Sequence, residues 1–262
     1  MIVDLGFVEI QVFAYLLVLF RVSGLVMTAP FFGSRNIPMQ LQIGIAMFLA
    51  YLVAPVVDKS ALMMPPSLGY LGLAVMAELA VGIMIGFAAA MIFAAVQLAG
   101  HYMDQELGIA MANVIDPINA EQVTVIGQFK YMLALAVFIL MDAHLLVIQT
   151  LVHSFKDIPL AGFVFTDALG RQITGNLITE MFIMSVKLSA PIVVVMLITT
   201  IAMGFLARTV PEMNIFILGF SLRIIVGFAV MIIMVQPLFA YVFPGMVVKW
   251  FKTVDGLILL MR

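Results

Sequence analysis

Cysteine is absent from this chain, which excludes disulfide bridges and thiolate metal sites. Charge is scarce too. Asp, Glu, Lys and Arg make up 10% of the 262 residues, where a soluble domain carries about 25%. The net charge is −2. No basic cluster exists beyond a few residues near the C-terminus, which argues against nucleic acid. The opening MIVDLGFVEI holds Asp4 and Glu9 but no Lys or Arg. A secretory signal, which wants a positive n-region, is therefore not expected. HExxH, GxSxG, a Walker loop and a strand-following GxGxxG are all missing. The chain is read as a non-enzyme that uses no cofactor. His101, His144 and His153 are scattered. His101, Asp104 and Gln105 share a helix face in HYMDQE, but a metal needs further ligands, so this reads as a solvated helix end. With no internal repeat and no low-complexity linker, residues 1–262 read as one domain.

What is present is apolar. Hydrophobic residues make up 65% of the sequence and the mean hydropathy is +1.24. These values describe an all-α, polytopic membrane protein. Methionine (22 residues) and phenylalanine (21) are abundant. Methionine serves either as lipid-facing filler or as a compliant lining that repacks around varied shapes, and composition does not choose between them.

Six hydrophobic blocks cover about residues 10–32, 37–57, 68–100, 129–152, 177–207 and 213–248, each at least as long as the ~20 residues a bilayer core requires. Several are interrupted. Arg21 splits the first, Asp142 and His144 interrupt the fourth, and Pro237 and Pro244 lie in the last. Only 79–99 and 188–207 look like ordinary uncharged spans. Lys249, Lys252 and Arg262 favour a cytoplasmic C-terminus, and the acidic N-terminus favours the other side. An even span count conflicts with that, so the count is odd or the chain is not a simple serpentine.

Arg21, Glu78, Lys187 and Arg223 lie within or at the edges of these blocks. Each costs about 2.5–3.5 kcal/mol at a helix centre, against about 6–12 kcal/mol gained by a block of 20 apolar residues. Such charges face protein or water. Glu78, Gly82, Gly86, Ala90 and Ala94 recur every four residues. This makes a stripe of small side chains, and the Gly82–Gly86 pair lets another helix approach closely. Glycines at 219 and 227 flank Arg223 in the same way. Lys187 lies one turn before Pro191, where the helix is expected to bend.

In MGFLARTVPEMNIFILGFSLRI (203–224), Arg208 and Glu212 flank Thr209 to Pro211. Pro211 should end one helix and Asn214 cap the next, giving a helical hairpin with a polar tip. The segment 105–122, QELGIAMANVIDPINAEQ, is different. Carboxylates bracket it, and Leu107 to Ile115 carry no charge.

These stretches resemble the FliR/SctT family of type III secretion export-gate proteins, in its flagellar more than its injectisome branch. RVSGLVMTAPFFGSRNIP (21–38), ELAVGIMIGF (78–87), AGHYMDQELGIAMANVIDP (99–117), MDAHLLVIQTLVHSFKDIP (141–159) and PEMNIF (211–216) match in order and spacing. Ala143 stands where the family often has Gly, and Glu212 where Gln is common. The resemblance implies kinked helical hairpins assembled into a helical hetero-oligomeric gate in the bacterial inner membrane, protruding toward the periplasm. FliP-like, FliQ-like and FlhB-like partners are implied, with unfolded flagellar proteins as transient substrates.

It implies that Arg21, Glu78, Lys187 and Arg223 are buried for assembly. It also implies that the stretch Glu106, Leu107, Gly108, Ile109, Ala110, Met111, Ala112, Asn113, Val114, Ile115, Asp116 and Pro117 plugs the pore. Two other readings remain at this stage: a secondary transporter with broken helices, and an assembly scaffold that lines no pore.

Overall fold

Among the described residues of the computed structural model, four helices are long and apolar enough to cross a membrane, or five if a broken helix pair counts as one span. The chain is thus an all-α, polytopic membrane protein. The structure describes residues 5–34, 37–59, 62, 64–109, 124–163, 167–209 and 215–261. The helices are α1 (Leu5–Thr28), α2 (Met39–Val53), α3 (Leu68–Leu107), α4 (Val125–Leu140), α5 (Ala143–Asp157), α6 (Asp167–Arg171), α7 (Ile178–Thr209), α8 (Ile215–Pro237) and α9 (Phe243–Leu259). Single π-helical turns, Gln172–Leu177 and Leu238–Val242, precede α7 and α9. The second follows Pro237, whose missing N–H breaks the ordinary ladder and favours a shifted register.

The predicted blocks and the helices coincide closely, with three differences. The final block ends by hydropathy at 248, yet α9 runs on to Leu259. Val247, Trp250, Phe251, Val254 and Ile258 are buried, while Lys249, Lys252 and Asp255 are exposed. An amphipathic pattern with period 3.6 thus continues where the uniformly apolar signal stops. Secondly, α7 passes through Pro191 as one helix. Thirdly, the break in the fourth block is made by Asp142, which holds φ 56°. Aspartate tolerates the left-handed region better than most residues, and Ala143 simply begins the next helix. No glycine is needed at 143.

The chain forms two compact units: residues 1–91, 142–178 and 248–262, and residues 92–141 and 179–247. In the first, α1 and α3 touch backbone to backbone. A Cβ on Gly24 would meet Leu79 O at 2.6 Å and Ile83 N at 2.9 Å. One on Gly82 would collide with the Arg21 carbonyl, and one on Gly86 with Thr28 and the Leu25 carbonyl. The Trp250 indole N–H donates to the Ala88 carbonyl at 2.8 Å, pinning α9 against α3.

This contact is testable by substitution. Gly82→Ala should destabilise the chain by about 1–3 kcal/mol, because backbone rather than a side-chain tip stands in the way. Gly72 lies on the same helix with nothing within 4 Å, and Gly72→Ala should gain up to about 1 kcal/mol from helix propensity. Thermal unfolding in detergent checks both, and equal stability of the two variants would contradict the close approach.

Candidate functional site

Arg21 is wholly buried, although its helix is otherwise apolar there. Its Nε donates to Glu78 Oε2 at 2.5 Å. Its Nη1 reaches the Ser154 carbonyl at 3.0 Å and the Ser154 hydroxyl oxygen at 3.2 Å, and Nη2 reaches the Ile158 carbonyl at 3.2 Å. The guanidinium lies 4.2 Å from the centre of the Phe155 ring. Arg21 therefore caps the C-terminus of α5, where orphan carbonyls and the helix dipole favour a cation. The second oxygen of Glu78 accepts from the Ala161 N–H at 2.8 Å, in a turn where Ala161 holds φ 61°. One ion pair thus joins α1, α3 and the end of α5.

Arg223 works in the other unit and is half-buried. Its Nη1 donates to the Glu106 carbonyl at 3.3 Å and its Nη2 to the Thr200 hydroxyl at 2.9 Å. It holds the last turn of α3 against α7 and α8. Gly227, one turn along α8, makes room for Leu107, and Gly108 faces the Phe220 ring. Gly108 has φ +78° and donates to the Gln105 carbonyl at 3.1 Å, ending the helix as glycine does at this position.

The root of the central segment is therefore built. Glu106 and Leu107, which the sequence reading counted in the plug stretch 106–117, close α3. Leu107 is fully buried with Met103, Ile126, Ile192, Met196 and Met231, and Ile109 packs against that cluster. Three methionines in one core favour the compliant reading of this residue type here. Ala110, Met111, Ala112, Asn113, Val114, Ile115, Asp116 and Pro117 lie outside the described residues.

Lys187 is exposed on α7, opposite the buried face that carries Met184, Leu188 and Ile192. This chain does not bury it, so of the four block charges only Arg21 and Glu78 are enclosed by the chain's own packing. Arg208 is exposed in the last turn of α7. Pro211, Glu212 and Asn214 lie outside the described residues, and α7 ends at Thr209 where the hairpin was expected to turn.

Sequence reasoning missed two buried charges, Asp104 and Lys130, both 2% exposed. The signal for Lys130 was present: Ile126, Lys130, Ala134 and Phe138 recur every four residues and form the buried stripe of α4. Asp104 follows Gly100 by one turn in the same way. Its Oδ1 accepts from the Ile126 N–H at 3.2 Å, whereas His101 and Gln105 pair with each other at 3.0 Å. The three do not converge on one point.

The sequence matches the family model described as Bacterial export proteins, family 1, over residues 12–248. It is 38% identical over 235 residues to "Flagellar biosynthetic protein FliR" of Bacillus subtilis (strain 168), covering 87% of this chain and 88% of that protein. The protein of the same description from Escherichia coli (strain K12) is 30% identical over 216 residues, 81% of this chain and 80% of that one. That from Caulobacter vibrioides is 29% identical over 222 residues, 84% and 88%. A match over nearly the whole length, on an all-α membrane framework, places the chain in family 1 of the bacterial export proteins.

Proposed function

We propose that this chain is a core subunit of the flagellar type III export gate in the bacterial inner membrane, and that its central segment closes the channel. The carrying observation is the anchored root of that segment. α3 delivers a charge-free, apolar stretch from a methionine-rich core, and Arg223 clamps the point of departure. An apolar plug excludes water and ions while seated. Apolar side chains offer no hydrogen bonds to break, so an unfolded flagellar protein would displace such a plug at low cost.

Helix length supports an assembly that extends beyond the membrane, and the periplasmic direction follows from the family resemblance alone. The 40 residues of α3 extend about 60 Å, twice the ~30 Å of bilayer hydrocarbon. Apolar side chains such as Leu197, Ile198, Ile201 and Phe205 are exposed along α7, and FliP-like, FliQ-like and FlhB-like partners would cover such faces. Lys187 belongs to that surface. A cation on an exposed apolar helix costs about 2.5–3.5 kcal/mol at mid-membrane, and a polar partner group would remove that cost. The polar tip at Arg208, Pro211, Glu212 and Asn214 is the further expected contact.

Tagged full-length chain, purified from native membranes, should run as a large, discrete complex with FliP-like and FliQ-like subunits. A lone monomer would overturn the assignment and bring the transporter reading forward. Lys187→Glu should reduce the yield of complex several-fold while leaving the unfolding midpoint of the isolated chain within a few degrees of the parent. Undiminished complex yield would remove Lys187 from the interface.

A further inference from the structure

We propose that the cavity between the ends of α2 and α5 holds the head group of one membrane phospholipid that carries both a phosphate and a primary ammonium, as phosphatidylethanolamine does. The cavity measures about 350 Å³, within the ~300–1,000 Å³ of small-molecule sites. Val53 and Val57 line it from the end of α2 and the turn that follows, and Val152 and Phe155 line it from the last turns of α5. Asp58 and Lys156 complete the lining with one charge of each sign. All of these residues belong to one compact unit.

The charges match such a head group. Lys156 is exposed in the last turn of α5, and no hydrogen bond or ion pair among the described residues engages its ammonium. The nearby cation Lys59 is already used, because its Nζ donates to Gln11 Oε1 at 2.5 Å. A basic group beside an apolar surface attracts a lipid phosphate. Asp58 acts in the opposite sense. Its carboxylate repels a purely anionic head group and accepts from an ammonium. A carboxylate takes several donors at once, so Asp58 can serve a head group alongside its interaction within the chain.

The surroundings favour an amphiphile over a free phosphate compound. Phe48, Leu52 and Val56 are exposed and recur every four residues along α2 and the turn after it. Val56 also lines the cavity. An apolar strip thus leads away from the charged end, and acyl chains laid along it would leave water. Occupancy also reaches the buried ion pair. The Phe155 ring, which lines the cavity, lies 4.2 Å from the Arg21 guanidinium. A seated lipid therefore backs the ring on which Arg21 rests, and a ligand that binds only the folded chain stabilises it.

The test uses the full-length chain, purified in mild detergent and washed of lipid. Phosphatidylethanolamine, phosphatidylglycerol or water-soluble phosphoethanolamine is then returned at matched concentration. Native mass spectrometry counts bound lipid, and the unfolding midpoint is recorded alongside. Phosphatidylethanolamine should be retained at one per chain and raise the midpoint by several degrees, with phosphatidylglycerol retained several-fold less. Lys156→Ala should lose most of the retention. Asp58→Ala should hold the two lipids equally. Both side chains are exposed, so neither substitution should unfold the chain. Val152→Phe, which fills the cavity and leaves both charges in place, should also lose the lipid.

Unchanged retention in Lys156→Ala, or equal retention of the two lipids by the parent, would overturn the site. An equal midpoint shift from phosphoethanolamine would do the same, since the apolar strip would then have no role. If Lys156→Ala keeps the lipid but fails to enter the complex in native membranes, the cavity belongs to a partner subunit instead.

Discussion

Glu78→Ala should destabilise the isolated chain by about 3–5 kcal/mol, the range seen when one member of a buried ion pair is removed. The geometry explains the size. Removing the carboxylate leaves the Arg21 guanidinium enclosed without its counter-ion and strips the Ala161 N–H of its acceptor. Arg21→Ala should cost a similar amount, because the Ser154 and Ile158 carbonyls at the end of α5 lose their cap as well. The paired replacement Arg21→Met with Glu78→Leu should cost clearly less than the sum of the single substitutions, since no charge is then left stranded. Thermal or denaturant unfolding in detergent reads all four proteins. A Glu78→Ala chain within about 0.5 kcal/mol of the parent, as typical surface substitutions are, would mean that the pair holds nothing together.

The contrast with Lys187 gives the two kinds of charge different signatures. Arg21 and Glu78 act inside one chain, so their loss appears in the isolated subunit. Lys187 is exposed there, so its loss should appear only in assembly.

Most of the fold was legible from hydropathy and punctuation, because each long apolar run had to become a helix once placed in lipid. Gly82 and Gly86 were visible from their spacing with Glu78. Their counterpart Gly24, and the partners of Arg21 at Ser154 and Ile158, were not. These groups lie more than 50 residues apart in sequence, and no local pattern encodes such a meeting. The last helix was shortened in the sequence reading because Lys249, Lys252 and Asp255 lower the average without breaking the period. Asp104 was overlooked because HYMDQE drew attention to its histidine. The residue that matters structurally is Asp104, which accepts from the Ile126 N–H at the start of α4. The family resemblance set the expected plug at residues 106–117, and the structure shows that its first two residues, Glu106 and Leu107, belong to α3.

The second large effect concerns that loop. Shortening it by residues 108–113 removes Ile109, which packs on the Met103–Met196–Met231 core, together with Gly108, whose left-handed φ turns the chain out of α3. The ties at Asp104 and Arg223 lie outside the deletion and should hold the helices in place. Assembly should therefore survive while the barrier to water and ions does not. The direct measurement is ion conductance of the inner membrane in cells or vesicles carrying equal amounts of parent and deleted complex. The gate account predicts normal complex yield with conductance raised at least severalfold. Normal yield with unchanged conductance would contradict it, leaving the chain as a scaffold whose central segment closes nothing.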